Sequence, residues 1–278
     1  MIRVLVDSSS DYMQAEAQKN NLEFVPLTVM INDVTYKSGV ELTHDEFYEK
    51  LIDGKEFPKT AQPSPQDFLT IFEDAKEKGD DVICILLSSA LSGTCQSAHL
   101  AKNMADYDNI YIIDSLSAIA GMRIMAEYAV KLSSEGMPAS EIAEKIEAIK
   151  SKVKIIAGVD TLEYLCRGGR LSRTAATIGE LANLKPILTV KPEGNLEVLG
   201  KTLGRVKAIN YILNQLENST VDTEFPMYSV YTYGTENVEK LENKLAKEGY
   251  RIDNRCQIGA SIGAHVGPGA FGVVFVEK

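Results

Sequence analysis

The sequence predicts an α/β protein in two halves. An N-terminal αβα domain with a mostly parallel sheet spans residues 1–155, and a C-terminal mixed α/β domain spans 156–278. Three observations predict this. Val82 to Leu87 is a continuous apolar run bounded by charges, the pattern of a strand buried on both faces. Strand-like and helical segments alternate through the first half, which implies right-handed βαβ crossovers. Beyond about residue 155 that alternation gives way to a hairpin signal, Pro192-Glu193-Gly194-Asn195, and a mixed pattern. At 278 residues the chain is long enough for two domains of ordinary size.

Taken in order, Ile2–Val6 reads as a strand ending at a polar turn, Asp7-Ser8-Ser9-Ser10, before a helix from Asp11 to Asn20. Phe24–Met30 reads as one strand, returning through Asn32-Asp33 into Val34–Tyr36. Thr43 and Glu46 have the spacing of a capping box for a helix to Ile52. Ser64 caps the next helix, with Pro65 in its first turn. After Val82–Leu87, Ser92 is expected to start a helix to about Met104, and Ile110–Ile113 the following strand. Ile119–Ser133 is apolar on most faces and is expected to be buried, whereas Ser140–Lys150 is amphipathic. In the second half, Ile155–Val159, Pro186–Val190, Leu196–Leu199, Met227–Thr232 and Gly272–Glu277 read as strands. Thr161–Cys166, a segment from Ser172 to Asn183, Val206–Glu217 and Val238–Glu248 read as helical.

Composition excludes several classes. The apolar runs are strand-sized, so no stable membrane insertion is expected. The chain enters a strand pattern without a signal-like segment. Cys84, Cys95, Cys166 and Cys256 lie far apart, as reduced cytoplasmic thiols would. A net charge of −10 argues against nucleic-acid binding. No cofactor motif and no metal-ligand spacing is present, and a nucleophile elbow is missing. His44 and His99 read as surface groups.

Three polar, turn-rich segments stand out. Gly263-Ala264-His265-Val266-Gly267-Pro268-Gly269-Ala270 reads as a loop that sets an imidazole in an apolar frame, suited to an anion or a proton transfer. Its alternative is a satisfied histidine in a tight turn. Ser88-Ser89-Ala90-Leu91-Ser92-Gly93-Thr94 follows the buried strand, where ligands bind in open α/β sheets and a helix N-terminus favours anions. Alternatively, Ser92 is only a helix cap. Thr60-Ala61-Gln62-Pro63-Ser64 is either a stiff connector or a donor of the Thr60 hydroxyl. Arg167-Gly168-Gly169-Arg170 brings guanidinium groups around a glycine pair, as an anion site or a solvated helix end. Gly200–Lys207 is a short basic stretch, a helix start or a docking patch built on Lys201, Arg205 and Lys207.

With these residues in place, the chain resembles the DegV family of bacterial fatty-acid-binding proteins over essentially its whole length. Five ordered motifs carry the resemblance: Val6-Asp7-Ser8-Ser9; Thr60-Ala61-Gln62-Pro63-Ser64; Ser88 to Thr94; Asp160-Thr161-Leu162-Glu163-Tyr164-Leu165 running into Arg167-Gly168-Gly169-Arg170; and His265 to Ala270. Cys95 stands where the family commonly has an aromatic residue, and the Lys201–Lys207 stretch is less basic than in kinase-docking members. The resemblance implies a tunnel between the two domains holding a long-chain fatty acid. It implies a carboxylate site at Thr60, Ser92, the Gly93 N–H, Thr94 and His265, with Arg170 near the head group. It also implies a non-catalytic role in phospholipid metabolism. A separate ATP-binding fatty acid kinase subunit, docking at Lys201, Arg205 and Lys207, would convert the presented carboxylate to acyl-phosphate. Two alternatives stand beside it: a lipid sensor or transport module with no kinase partner, and a hydrolase using Ser92 with His265 as base.

Overall fold

In the computed structural model, residues 1–54, 56–172 and 183–278 are described. The first half contains β1 (Ile2–Asp7), a 3-10 turn at Ser8–Ser10, α1 (Gln14–Lys19), β2 (Leu22–Val25), β3 (Thr28–Ile31), β4 (Val34–Lys37) and α2 (His44–Asp53). It continues with β5 (Lys59–Ala61), α3 (Pro65–Lys78), β6 (Asp81–Leu86), α4 (Thr94–Ala105), β7 (Ile110–Asp114), α5 (Ala120–Ser134) and α6 (Ala139–Ile149). The second half contains β8 (Val153–Gly158), α7 (Glu163–Arg167), β9 (Leu184–Val190), β10 (Leu196–Leu203) and α8 (Arg205–Glu217). It ends with β11 (Tyr228–Tyr231), α9 (Glu236–Lys247), β12 (Asn254–Gln257), α10 (Ala260–Val266) and β13 (Phe271–Val276).

The first half builds a four-stranded sheet in the order β2-β1-β6-β7, parallel throughout. Its strands are apolar on both faces because helices cover both. Leu5, Val82, Cys84 and Leu86 face Phe68 and Phe72 of α3 and Ala98 and Ala101 of α4. The alternate residues Val4, Val6, Ile83 and Ile85 face Met122, Met125 and Ala126 of α5 and Ile142 and Ile146 of α6. Burying each of the larger side chains stabilises the layer by about 1.5–3 kcal/mol.

The second half builds a six-stranded mixed sheet, β10-β9-β8-β13-β11-β12, in which only β11 and β12 pair in parallel. One face packs on α8 and α9 through Ile187, Phe271, Val273 and Phe275. The other face, with Ile155, Val230, Val274 and Val276, joins the same core as α5. This helix lies between the two sheets, which is why Ala120–Ala126 is buried, Arg123 included.

A third sheet, antiparallel in the order β4-β3-β5, differs from the sequence expectation. Phe24–Met30 is not one strand. Pro26 lacks the N–H that a ladder needs, the chain leaves the parallel sheet there, and the Leu27 N–H donates to Ser8 Oγ at 2.9 Å instead. Neither β5 nor β12 is expected from the sequence. The Asp11–Asn20 helix is also shorter than expected: Asp11 is left-handed at φ 61°, and α1 begins at Gln14. The helix expected from Ser172 to Asn183 falls almost wholly outside the described residues. No helix among the described residues is long and apolar enough to cross a membrane.

Candidate functional site

The first half of the segment expected to be a loop around His265, Gly263–Val266, is helix. His265 occupies the last turn of α10, and the glycine-rich stretch begins only at Gly267, the C-cap, with φ 72°. Helix α10 is bedded on the three-stranded sheet and α2, with Ala260 and Ala264 against Val29, Phe47 and Tyr48. Its N-terminal side is tied by Tyr48 Oη donating to Ile258 O at 2.8 Å and by Gly259 N donating to Asp11 Oδ1 at 2.9 Å. These ties bring His265 to β5. There His265 Nε2 lies 2.8 Å from Thr60 Oγ1, and Thr60 itself pairs with Val29 in the sheet.

Two glycines let this corner close. A side chain at Gly168 would meet His265 Nδ1 at 2.2 Å, so the backbone after α7 presses directly on the imidazole. A side chain at Gly267 would meet the Tyr164 ring at 2.5 Å. His265 is 9% exposed, and burial, followed by the nearby Arg170 guanidinium, pushes its pKa down to about 4. The ring is therefore neutral at pH 7 and carries one N–H. Nδ1 has no hydrogen-bond partner among the described residues. An unsatisfied buried donor is costlier than an under-used acceptor, which favours the Nε2–H tautomer. Nε2–H then donates to Thr60 Oγ1, and the Thr60 hydroxyl keeps its own hydrogen for a ligand.

The other sequence-picked residues fall into three groups. Ser92, Arg170, Thr60 and His265 line one cavity. The Ser92 hydroxyl meets Thr94 Oγ1 at 2.9 Å and makes no hydrogen bond to His265, so the hydrogen-bonded pair of a serine nucleophile and its base is not formed. Contrary to expectation Ser92 does not start the helix: Gly93 is the N-cap and Thr94 the first residue of α4. Thr94 is fully buried behind Ser92 and does not line the cavity. Arg170, half-buried, donates from Nε to Leu91 O at 3.0 Å and from Nη1 to Gly168 O at 2.6 Å, joining the Ser88–Gly93 loop to the α7 segment. Gln62, which sequence reasoning passed over, lies across Gly93 and donates to Ser97 Oγ at 2.9 Å, fixing β5 to the start of α4.

Lys201, Arg205 and Lys207 are exposed and outside the cavity. The expectation of a helix start covering all three is corrected: Lys201 belongs to β10, and only Arg205 and Lys207 lie on α8. Arg205 Nη2 sits 3.4 Å from Asp160, which also pairs with Lys185 at 2.7 Å. His99 is exposed as expected, but His44 is not the surface group its charged neighbours suggest. It packs against Gly259, and burial lowers its pKa to about 4.

The cavity is walled by residues of both halves of the chain. Away from Thr60, Ser92, Arg170 and His265 its wall is dominated by aliphatic side chains. They come from both halves, among them Leu27, Leu87 and Ile119 from the first and Ile155, Leu188, Val190 and Ile258 from the second. It is an apolar space whose hydroxyl, imidazole and guanidinium groups come from β5, the loop before α4, the end of α10 and the segment after α7.

The model of the family described as uncharacterised protein, DegV family, matches residues 1–278. The chain belongs to the DegV family. A DegV domain-containing protein of Caldanaerobacter subterraneus subsp. tengcongensis is 38% identical over 280 residues, covering 100% of this chain and 99% of the relative. A solved DegV family protein from Thermus thermophilus, reported for its fatty acid binding, superposes with a TM-score of 0.89. It is 31% identical, with 100% of this chain and 99% of the other covered. A stearic acid-binding protein from Eubacterium ventriosum gives a TM-score of 0.88 at 25% identity, again covering 100% and 99%. The mixed α/β fold described above is thus the DegV fold, along its whole length.

Proposed function

We propose that this chain binds a long-chain fatty acid in the cavity and presents its carboxylate to a partner kinase for conversion to acyl-phosphate. The observation that carries the reading is the apolar cavity whose wall includes the Thr60–His265 pair. Burying about 14 methylenes at ~0.8 kcal/mol each gives roughly 11 kcal/mol gross, before ordering costs. The acyl chain supplies affinity, and the head-group donors supply orientation. A buried carboxylate without donors would cost several kcal/mol. Thr60 Oγ1–H, polarised by the neutral His265 Nε2–H behind it, is one donor. The Ser92 hydroxyl, held by Thr94, and the Gly93 N–H at the α4 N-terminus are the others. Arg170 adds a positive charge near the same end.

Such a site holds an anion without a metal and without making a nucleophile of Ser92. It fits a carrier whose two halves, divided near residue 155, close around the ligand. The DegV proteins described as binding fatty acids support the lipid half of the reading. The kinase half rests on the family resemblance and on the exposed Lys201, Arg205 and Lys207, which would dock the ATP-binding subunit. A module that only stores or senses lipid is the second reading, favoured by the engagement of Arg205 with Asp160.

The test combines the purified chain, a radiolabelled fatty acid, ATP and the ATP-binding kinase subunit. Acyl-phosphate formation that falls when Lys201 and Arg205 are reversed in charge supports presentation. Saturable lipid binding with no acyl-phosphate under any condition would leave the storage reading.

A further inference from the structure

We propose that Gln62 is a positioning residue for the carboxylate: its side chain holds the strand of Thr60 against the start of α4, so that the Thr60 hydroxyl and the Gly93 N–H reach one head group together. The proposal rests on the reading that the cavity holds a fatty acid. Gln62 is not part of the cavity wall and acts through its neighbours.

The strand that carries Thr60 is weakly held by its own ladder. β5 has three residues, paired with β3 as Lys59 to Met30, Thr60 to Val29 and Ala61 to Thr28, and no strand lies on its other side. A strand this short has little rigidity of its own. Two side-chain bonds brace it. Thr60 Oγ1 meets His265 Nε2 of α10 at 2.8 Å, and Gln62 Nε2 donates to Ser97 Oγ of α4 at 2.9 Å. Among the described residues, the Gln62–Ser97 bond is the one hydrogen bond between residues 59–64 and 88–97.

Gly93 shows how closely the two segments approach. Its φ of −78° and ψ of 13° lie on the negative-φ side that L-residues adopt, so the turn itself does not require glycine. Space does. A side chain at Gly93 would meet Gln62 Oε1 at 2.0 Å, Cδ at 2.7 Å and Nε2 at 2.8 Å. From the helix side, Ser97 N–H donates to Gly93 O at 3.0 Å, and Ser97 is buried. Gln62 and Ser97 thus enclose the residue that caps α4. Gln62 itself is exposed, so truncating it removes the brace without opening a hole in the core. Hydrogen bonds to a carboxylate weaken steeply as donors leave their geometry, whereas contacts along the acyl chain do not depend on this brace.

The experiment measures binding of a straight-chain fatty acid and of the primary alcohol with the same chain. Wild type, Gln62→Ala, Ser97→Ala and the double variant of the 278-residue chain are compared, with thermal unfolding of each sample. The alcohol keeps the chain contacts and lacks the carboxylate. The acid-to-alcohol affinity ratio should fall about tenfold in each single variant and no further in the double variant, because either change breaks the same brace. Equal losses for acid and alcohol, additive losses, or an unchanged ratio in the single variants overturn the proposal. If one single variant does not fold, the other carries the test. A wild type that binds neither ligand overturns the fatty-acid reading and this proposal with it; a wild type that binds the acid, with a ratio that both variants leave unchanged, removes only the role of Gln62.

Discussion

Thr60 and His265 are 205 residues apart in the chain, yet Thr60 Oγ1 and His265 Nε2 meet at 2.8 Å on the wall of the cavity. One residue comes from a three-residue edge strand and the other from the last turn of a seven-residue helix. The contact exists because α10 is packed on the small sheet that contains β5. Neutral His265 can then orient the Thr60 hydroxyl instead of competing for its hydrogen.

His265→Ala removes the group that orients Thr60, and Thr60→Ala removes the donor itself. Each is expected to weaken retention of the carboxylate by about 1–3 kcal/mol, the cost of a lost bond to a charged acceptor. Thr60→Ser, which keeps the hydroxyl, should recover most of it. Fatty-acid titration of the three variants checks this, alongside thermal unfolding to show that the fold survives.

Gly168→Ala places a methyl group where His265 Nδ1 already lies. The imidazole or the α7 segment must shift, an overpacking cost of about 1–3 kcal/mol. Lipid retention should fall although no ligand contact has been deleted. A Gly169→Ala variant is a poor substitute test, because Gly169 has φ 74° and would add backbone strain.

Thr94→Val keeps the shape of a fully buried side chain while removing the partner of Ser92. Stability should drop by about 1 kcal/mol. Because Thr94 does not line the cavity, any loss of binding would act through Ser92. Urea unfolding and the dissociation constant, measured on the same samples, separate the two effects.

The stability contribution of His265 should vanish on acidification. Its folded pKa is lowered to about 4 from an ordinary 6.5, so between those values the unfolded chain binds more protons. The contribution is complete above pH 6.5 and is lost as pH falls towards 4, amounting to about 3 kcal/mol at most. Asp11, raised to about 8 by burial, and Asp7, raised to about 6, act in the opposite direction as pH rises. The difference between wild type and His265→Gln isolates the imidazole. It should shrink between pH 6.5 and 4 in chemical denaturation.

What could be read from the sequence follows from local pattern. Val82–Leu87 reads as a buried strand, and the helix after Ile119 as a buried one because it is apolar on most faces. Thr60, Ser92, Arg170 and His265 were singled out by type and loop context and do line one cavity. What could not be read depends on distant packing. Lys59–Ala61 is too short and too polar to show strand periodicity, so Thr60 looked like part of a connector. His44 has charged neighbours in sequence, but Gly259 covers it in space. Ile119, the N-cap of α5, has φ 50°, which has no sequence signature, since the residue type argues against it. Gln62 is one of seven glutamines, unmarked until Gly93 and Ser97 are brought beneath it.

The most direct measurement is native mass spectrometry of the purified chain, followed by organic extraction and identification of what the cavity carries. One fatty acid per chain, lost or reduced in His265→Ala and Thr60→Ala, is the expected result. A chain that carries no lipid and takes up none of a panel of added fatty acids would contradict it.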